Sequence, residues 1–250
     1  MDKRIKDILI KIKEAGYVAY LVGGSSLDEY FNLPYTDIDI ATSATPQQIS
    51  QLFDVISTQG EMFGNVKIQY QNLKAELTTF RIETYIYPSV YPKILRFSSN
   101  VKEDSYRRDF TINALYMDEN QKIMDFHQGL SDIKAKKIRF IGDPQKRIKE
   151  DPSRIFRGLR LHQKTHFEFE EKTKQAIFNL VQEIKRLSKN KIAYEIKKTY
   201  DECGILNTNQ LYEQWNVLKT LFGYNKVFYL ENASEISLEN IKEQLKEMLE

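Results

Sequence analysis

Thr36-Asp37-Ile38-Asp39-Ile40 sets two carboxylates two residues apart between apolar neighbours. Such alternation is the period of a half-buried strand, on which residues two apart share a face. Two like charges about 5 Å apart repel by about 3 kcal/mol at an effective dielectric near 20. An oxygen-only pair under that repulsion suits Mg²⁺, which takes one or two carboxylates and completes its shell with water and phosphate oxygens. By itself the pair reads more simply as a solvated strand edge. The preceding residues strengthen the case for Asp37 and Asp39 as metal ligands. Leu21-Val22 ends an apolar run, and Gly23-Gly24 permits close backbone approach or positive φ. Ser25-Ser26 can then cap a helix begun by Leu27-Asp28-Glu29. Strand, Gly-Gly turn and helix N-terminus together form an anion site, since free N–H groups and the helix dipole both favour phosphate. A phosphate cradle followed by two metal-ready acids has the parts of a phosphoryl-transfer centre.

Three further groups carry chemistry. Glu76, in a strand-like run from Leu73 to Phe80, is a candidate third carboxylate on a neighbouring strand; the alternative is a surface strand residue. Asp104 to Met117, DSYRRDFTINALYM, brings two fixed positive charges at Arg107 and Arg108, a possible helix cap at Asp109 and a hydrogen-bonding amide at Asn113. Asp143 to Arg160, DPQKRIKEDPSRIFRGLR, has Asp151 to cap the helix that Pro152 opens. Arg154, Arg157 and Arg160 recur every third residue there, as one basic stripe opposite Ile155, Phe156 and Leu159. A solvated face is the default for such a stripe, but guanidinium forks also match phosphates and base edges.

Around these groups the pattern expects an amphipathic helix over 1–15, strands over 17–22 and 35–41, and a helix from Thr45-Pro46-Gln47-Gln48 with a capping box. Strands follow over 66–71 and 73–80. Residues 83–104 read as a long mobile loop with room for a short hairpin, and loops of that length are usually functional or disordered. Lys185, Arg186, Lys189, Lys191, Lys197 and Lys198 form a basic region suited to RNA phosphates or to a solvated helix face. An amphipathic helix over 236–249 closes the chain.

The 250 residues allow one large or two smaller domains with a real core. Net charge of +2 excludes a polycation, so any nucleic-acid surface must be a local patch. A lone cysteine, Cys203, excludes an intramolecular disulfide and a multi-cysteine zinc site. With no signal peptide and no apolar run of membrane length, this points to a cytoplasmic protein that does not engage a membrane.

LVGGSSLD at 21–28, DIDIATSATP at 37–46, ELTTFR at 76–81, RRDFTINA at 107–114 and EDPSRIFR at 150–157 resemble the motifs of class II tRNA nucleotidyltransferases. These CCA-adding enzymes and the related bacterial poly(A) polymerases belong to the DNA polymerase β superfamily. DFHQGL with Asp132 and Arg139 resembles the family's hinge-like motif. The likeness runs in order through about the first two-thirds of the chain, with one departure: the family's triphosphate-contacting arginine is Leu27 here.

The resemblance implies an α+β head of small mixed sheet and helices over 1–140, and an all-α remainder. That remainder would be a helical neck over 141–200 that selects the nucleotide and a short helical body remnant over 201–250. It implies template-independent addition of C and A, from CTP and ATP, to the 3′ end of tRNA, with two Mg²⁺ ions on Asp37 and Asp39. Gly23, Gly24, Ser25 and position 27 would lie by the triphosphate, and Arg108, with Asp109 and Asn113, by the sugar. Asp151 and Arg154 would read the base edge, while Arg157 and Arg160 neutralise phosphate. Residues 83–104 would be the flexible loop linked to the switch from C to A. Family members run on through domains that grip the tRNA elbow; this chain stops early, and a homodimer is one way to compensate. The alternatives are a poly(A) polymerase, an enzyme adding only C or only A, a non-catalytic tRNA- or nucleotide-binding relative, and an unrelated transferase.

Overall fold

The computed structural model describes residues 1–223 together with Glu239 and Ile241. The helix expected over 236–249 otherwise lies outside the described residues. The chain divides into two compact units, one of residues 1–84 and 92–135, the other of residues 85–91 and 136–250.

The first unit opens with α1 (Lys3–Glu14), whose first turn is capped by the Asp2 carboxylate accepting from the Arg4 N–H at 2.8 Å. Ile5, Ile8, Leu9 and Ile12 recur along one helical face and are fully buried. β1 (Ala19–Leu21), α2 (Gly24–Tyr30) and β2 (Asp39–Thr42) follow. α3 (Pro46–Leu52) begins with the expected capping box, Thr45 and Gln48 each bonding the other's backbone N–H. β3 (Asp54–Ser57), β4 (Asn65–Tyr70) and β5 (Leu73–Thr79) come next, then the hairpin of β6 (Arg81–Thr84) and β7 (Ile94–Phe97). After α4 (Val101–Ser105) come a 3₁₀ turn (Thr111–Asn113), β8 (Leu115–Met117), β9 (Ile123–Asp125) and α5 (Gly129–Lys134).

Seven strands form one sheet in the order β3-β4-β5-β2-β1-β8-β9. β2 and β5 pair in parallel and the other neighbours are antiparallel, so the sheet is mixed. Ile40, Ile68 and Leu77 pack with α1 and Ile49 in one apolar cluster, while Ala41 joins Val22, Phe80 and Tyr116 in another. Alternation along β2 therefore sends Ile40 and Ala41 into different clusters.

Three local expectations change. The strand expected over 35–41 begins only at Asp39, with Thr36 and Asp37 in a bend before it. α2 starts at Gly24 with Gly23 as its N-cap, so Ser25 and Ser26 lie inside the first turn and do not cap it. Asp109 caps no helix, because α4 precedes it and the 3₁₀ turn after it has Phe110 at its N-cap.

Among its described residues, the second unit is helical apart from a two-residue parallel ladder, β10 (Lys137–Ile138) with β11 (Glu168–Phe169). Its helices are α6 (Pro144–Glu150), α7 (Ser153–Thr165), α8 (Glu171–Leu180), α9 (Lys189–Cys203), α10 (Ile205–Gln214) and α11 (Val217–Phe222). Among the described residues, no helix is long and apolar enough to cross a membrane.

α5 is seated against the motif turn. Both Asp125 carboxylate oxygens accept backbone N–H bonds, from His127 at 3.0 Å and from Gly129 and Leu130 at 2.9 Å each. The Thr111 hydroxyl donates to Asp132 at 2.6 Å, and a Cβ on Gly129 would stand 2.4 Å from the Thr111 carbonyl oxygen. Gly129→Ala must push backbone against backbone, and a loss of about 1–3 kcal/mol in urea unfolding is expected, the usual cost of overpacking.

Candidate active site

Asp39 and Glu76 are direct partners in the parallel β2–β5 register. The Asp39 carboxylate lies over the Gly-Gly turn: a Cβ on Gly23 would meet its Oδ2 at 3.2 Å. Gly23 has φ 71° and ψ −140°, close to a region that only glycine occupies freely. The turn thus needs glycine both for its backbone and for the space it leaves to the acid. Asp37 is exposed and Asp39 half-buried.

Ser25, expected at the phosphate, is 1% exposed and turned to the backbone of the acidic segment. Its hydroxyl donates to the Asp37 carbonyl at 2.9 Å and accepts from the Asp39 N–H at 2.7 Å. Leu27 is 4% exposed, a core residue of α2. Asp28 is buried as well and accepts from the Thr36 N–H. Glu76 accepts from the Asn65 amide and pairs with Lys67 at 3.6 Å. Among the described residues, no three His, Cys, Asp or Glu side chains group as a metal cage. Two carboxylates beside a glycine turn instead fit a hard divalent cation whose other ligands are water and phosphate oxygens.

Arg108 is fixed by groups that its own motif hides. Its Nε–H donates to the Tyr116 hydroxyl at 2.7 Å, and a terminal nitrogen donates to Asp104 at 3.0 Å. Tyr116 in turn donates to Asp104 at 2.7 Å, and Arg107 bonds the other Asp104 oxygen at 2.7 Å. Burial alone would push the Asp104 carboxyl up. Arg107, Arg108 and the Tyr116 hydroxyl outweigh it and hold the group well below the usual carboxylate range. Burial also pushes the Tyr116 phenol up. Sequence reasoning gave Asp104 no role, although an acid three and four residues before two arginines is a legible helical spacing. The buried Oδ1 of Asn113 has no hydrogen-bond partner among the described residues.

In the second unit the three arginines of α7 form no open stripe. Arg154 is 1% exposed; its Nη1 donates to the Arg147 carbonyl at 2.6 Å and to Glu150 at 3.1 Å. Its guanidinium stands 5.5 Å from the centre of the Tyr85 ring, in the segment 85–91 that packs with this unit. Asp151 accepts from the Ser153 N–H at 3.0 Å and from Arg157 at 2.5 Å, but the N-cap position of α7 is Pro152, one residue after the expected cap. Arg160 is buried between α7 and α9, pairing with Glu195 at 3.2 Å and Glu202 at 3.4 Å, where the sequence expected it to face phosphate. Arg186 donates to the Pro88 carbonyl at 2.7 Å and lies over the Tyr87 ring. On α9, Lys191 pairs with Glu195 and Lys197 with Asp201, which offsets part of the basic region.

A family model described as the Poly A polymerase head domain matches residues 19–139. A curated CCA-adding enzyme of Staphylococcus epidermidis is 34% identical over 230 residues, covering 92% of this chain and 56% of that protein. Another, of Staphylococcus haemolyticus, is 40% identical over 193 residues, 77% of this chain and 48% of that one. The crystal structure of the Bacillus stearothermophilus CCA-adding enzyme in complex with CTP aligns with a TM-score of 0.76 at 30% identity, covering 88% of this chain and 54% of that one. The chain belongs to the class II CCA-adding enzyme family. A further family structure, a CCA-adding enzyme with ATP, aligns with a TM-score of 0.72 at 26% identity, covering 92% of this chain and 54% of that one. The chain spans about half the length of the curated relatives it matches. Membership of the CCA-adding family implies dependence on a divalent metal ion.

Gly23→Ala should cost about 1–3 kcal/mol through its backbone region and displace Asp39, so that activity falls further than the melting temperature does. Asp104→Asn removes the buried charge that two half-buried guanidinium groups pair with, and breaking a buried pair costs about 3–5 kcal/mol. The folded pKa of Asp104 lies below its unfolded value near 4. Its stabilisation is therefore full above about pH 4 and is lost as pH falls through the folded value. Urea unfolding at pH 7 should show the full deficit of the variant, and unfolding near pH 3 a smaller one.

Proposed function

We propose that this chain transfers nucleotidyl groups from CTP and ATP to the 3′ end of tRNA, rebuilding its terminal CCA. The observation that carries the reading is the Asp39 carboxylate lying over the Gly23–Gly24 turn, beside Glu76 in register on the next strand. The relatives, among them structures with CTP and with ATP, support the choice of substrates. The RNA 3′-hydroxyl oxygen would bond the α-phosphorus as the bond to the β-phosphate bridge breaks, releasing pyrophosphate. Asp37 and Asp39 would hold two Mg²⁺ ions. Bound there, these would lower the pKa of the attacking hydroxyl and offset charge on the leaving group.

The protein's own groups do the positioning. Gly23 and Gly24 leave backbone room for phosphate oxygens. Arg108, held by Asp104 and Tyr116, meets the ribose. Asn113 Oδ1 is a ready acceptor for a ribose hydroxyl, because a buried acceptor without a donor is costly. Asp151 can accept from the exocyclic amine that cytosine and adenine share, and Arg154 can donate to a ring nitrogen or carbonyl. Both residues already hold internal partners, Arg157 on Asp151 and Glu150 on Arg154. Base reading therefore exchanges one charged hydrogen bond for another. A buried Arg160, paired with Glu195 and Glu202, is assigned to holding α7 against α9.

Incubation with tRNA lacking its 3′ CCA, Mg²⁺ and each nucleotide singly and together tests the reading. CTP alone should add two residues, and CTP with ATP three. Asp39→Ala should abolish both, and Asp151→Ala should raise GTP and UTP incorporation relative to CTP. Unlimited A-tailing would mark a poly(A) polymerase instead, and no incorporation by the parent would remove the enzymatic reading.

A further inference from the structure

Asp37 lies outside the strand that carries Asp39. The pleat therefore cannot fix the relation between the two acids, as it would if both stood on one ladder. The backbone of Asp39 is well held: its carbonyl accepts from the Val22 N–H at 3.0 Å, and the Glu76 N–H donates to the adjoining Ile38 carbonyl at 2.8 Å. Asp37 comes before the ladder, in a bend. One side chain spans both residues. The Ser25 hydroxyl accepts from the Asp39 N–H at 2.7 Å and donates to the Asp37 carbonyl at 2.9 Å, so a single oxygen grips the chain on both sides of Ile38.

We infer that Ser25 is the positioning residue that sets Asp37 against Asp39 and so sets the affinity of the acidic pair for divalent cations. The inference rests on the reading of Asp37 and Asp39 as the cation seat. Ser25 does not touch phosphate in this role. It is 1% exposed, and its one hydroxyl proton is committed to the Asp37 carbonyl. It also sits in the first turn of α2, immediately after the Gly-Gly turn. The same hydroxyl therefore ties the position of the acids to the position of the proposed phosphate turn. Loss of that oxygen would remove both of these hydrogen bonds at once, while both carboxylates stay in the sequence.

The neighbouring Ser26 is a matched comparison. It is equally buried, but its hydroxyl donates within its own turn to the Gly23 carbonyl at 3.0 Å and does not reach the acidic segment. Groups that orient metal ligands typically change metal affinity by about 10–100-fold when removed.

The test is Mn²⁺ titration of the full chain, followed by electron paramagnetic resonance with a non-hydrolysable CTP analogue present, alongside thermal melting. Parent, Asp39→Ala, Ser25→Ala, Ser25→Cys and Ser26→Ala are compared. Ser25→Ala should weaken Mn²⁺ binding about tenfold or more. Ser25→Cys, which keeps a weaker donor and acceptor in place, should fall between it and the parent. Ser26→Ala should bind Mn²⁺ as the parent does. If Asp39→Ala binds like the parent, the cation seat itself is misassigned. If Asp39→Ala loses binding while Ser25→Ala keeps it, or if Ser26→Ala loses as much as Ser25→Ala, the seat stands and the role of Ser25 is overturned. Should Ser25→Ala melt too low to titrate, Ser25→Cys decides, and parental Mn²⁺ affinity in that variant overturns the role.

Discussion

β2 has to carry an acid in the middle of a buried sheet. Its backbone is paired in parallel with β5 and antiparallel with β1, which leaves it little freedom to shift. Ile40 is committed to one apolar cluster and Ala41 to another, so a slip of one residue would put an apolar group where Asp39 stands. Hydrophobic burial along this strand is thus what fixes the polar chemistry at its start. The Gly-Gly turn adds a second restriction, because any side chain at position 23 would press on the Asp39 oxygen.

Elsewhere the same molecule uses buried or half-buried acids to hold basic side chains. Asp104 holds Arg107 and Arg108, Glu150 holds Arg147 and Arg154, and Glu195 holds Arg160 and Lys191. Burial would push the Glu195 carboxyl up, but the neighbouring Arg157, Lys191 and Arg160 hold it down. A buried ion pair is weak support for stability in itself, since desolvation offsets most of the attraction. What it does supply is orientation. A guanidinium fork fastened along one edge can meet a ligand with less loss of side-chain freedom than a loose one.

The sequence made the mixed head, the order of its motifs and the capped start of α3 legible, because these rest on local spacing. It also pointed to Asp37, Asp39 and Glu76, and the parallel register makes Asp39 and Glu76 neighbours. It could not show that Asp37 stands before the strand, since alternation in Asp37-Ile38-Asp39-Ile40 looks the same whether pairing begins at one residue or two later. The role of Ser25 and the contact of Asp104 with Tyr116 were hidden for a different reason. Each involves residues whose approach depends on the completed fold: Ser25 reaches Asp37 and Asp39 across the loop between α2 and β2, and Asp104 meets Tyr116 across a turn. The arginine stripe of α7 misled because spacing gives the face of a helix but not whether another helix covers it. α9 covers Arg160.

The hairpin of β6 and β7 belongs to the first unit, whereas the residues at its tip, 85–91, pack with the second. The polypeptide therefore crosses between the units at Thr84–Tyr85, at Tyr91–Pro92 and again at Ala135–Lys136. A protease that severed only the last of these junctions would not free either half, because the uncut hairpin would still thread both. A truncation designed at residue 135 would strip the second unit of a segment that Arg186 and Arg154 grip.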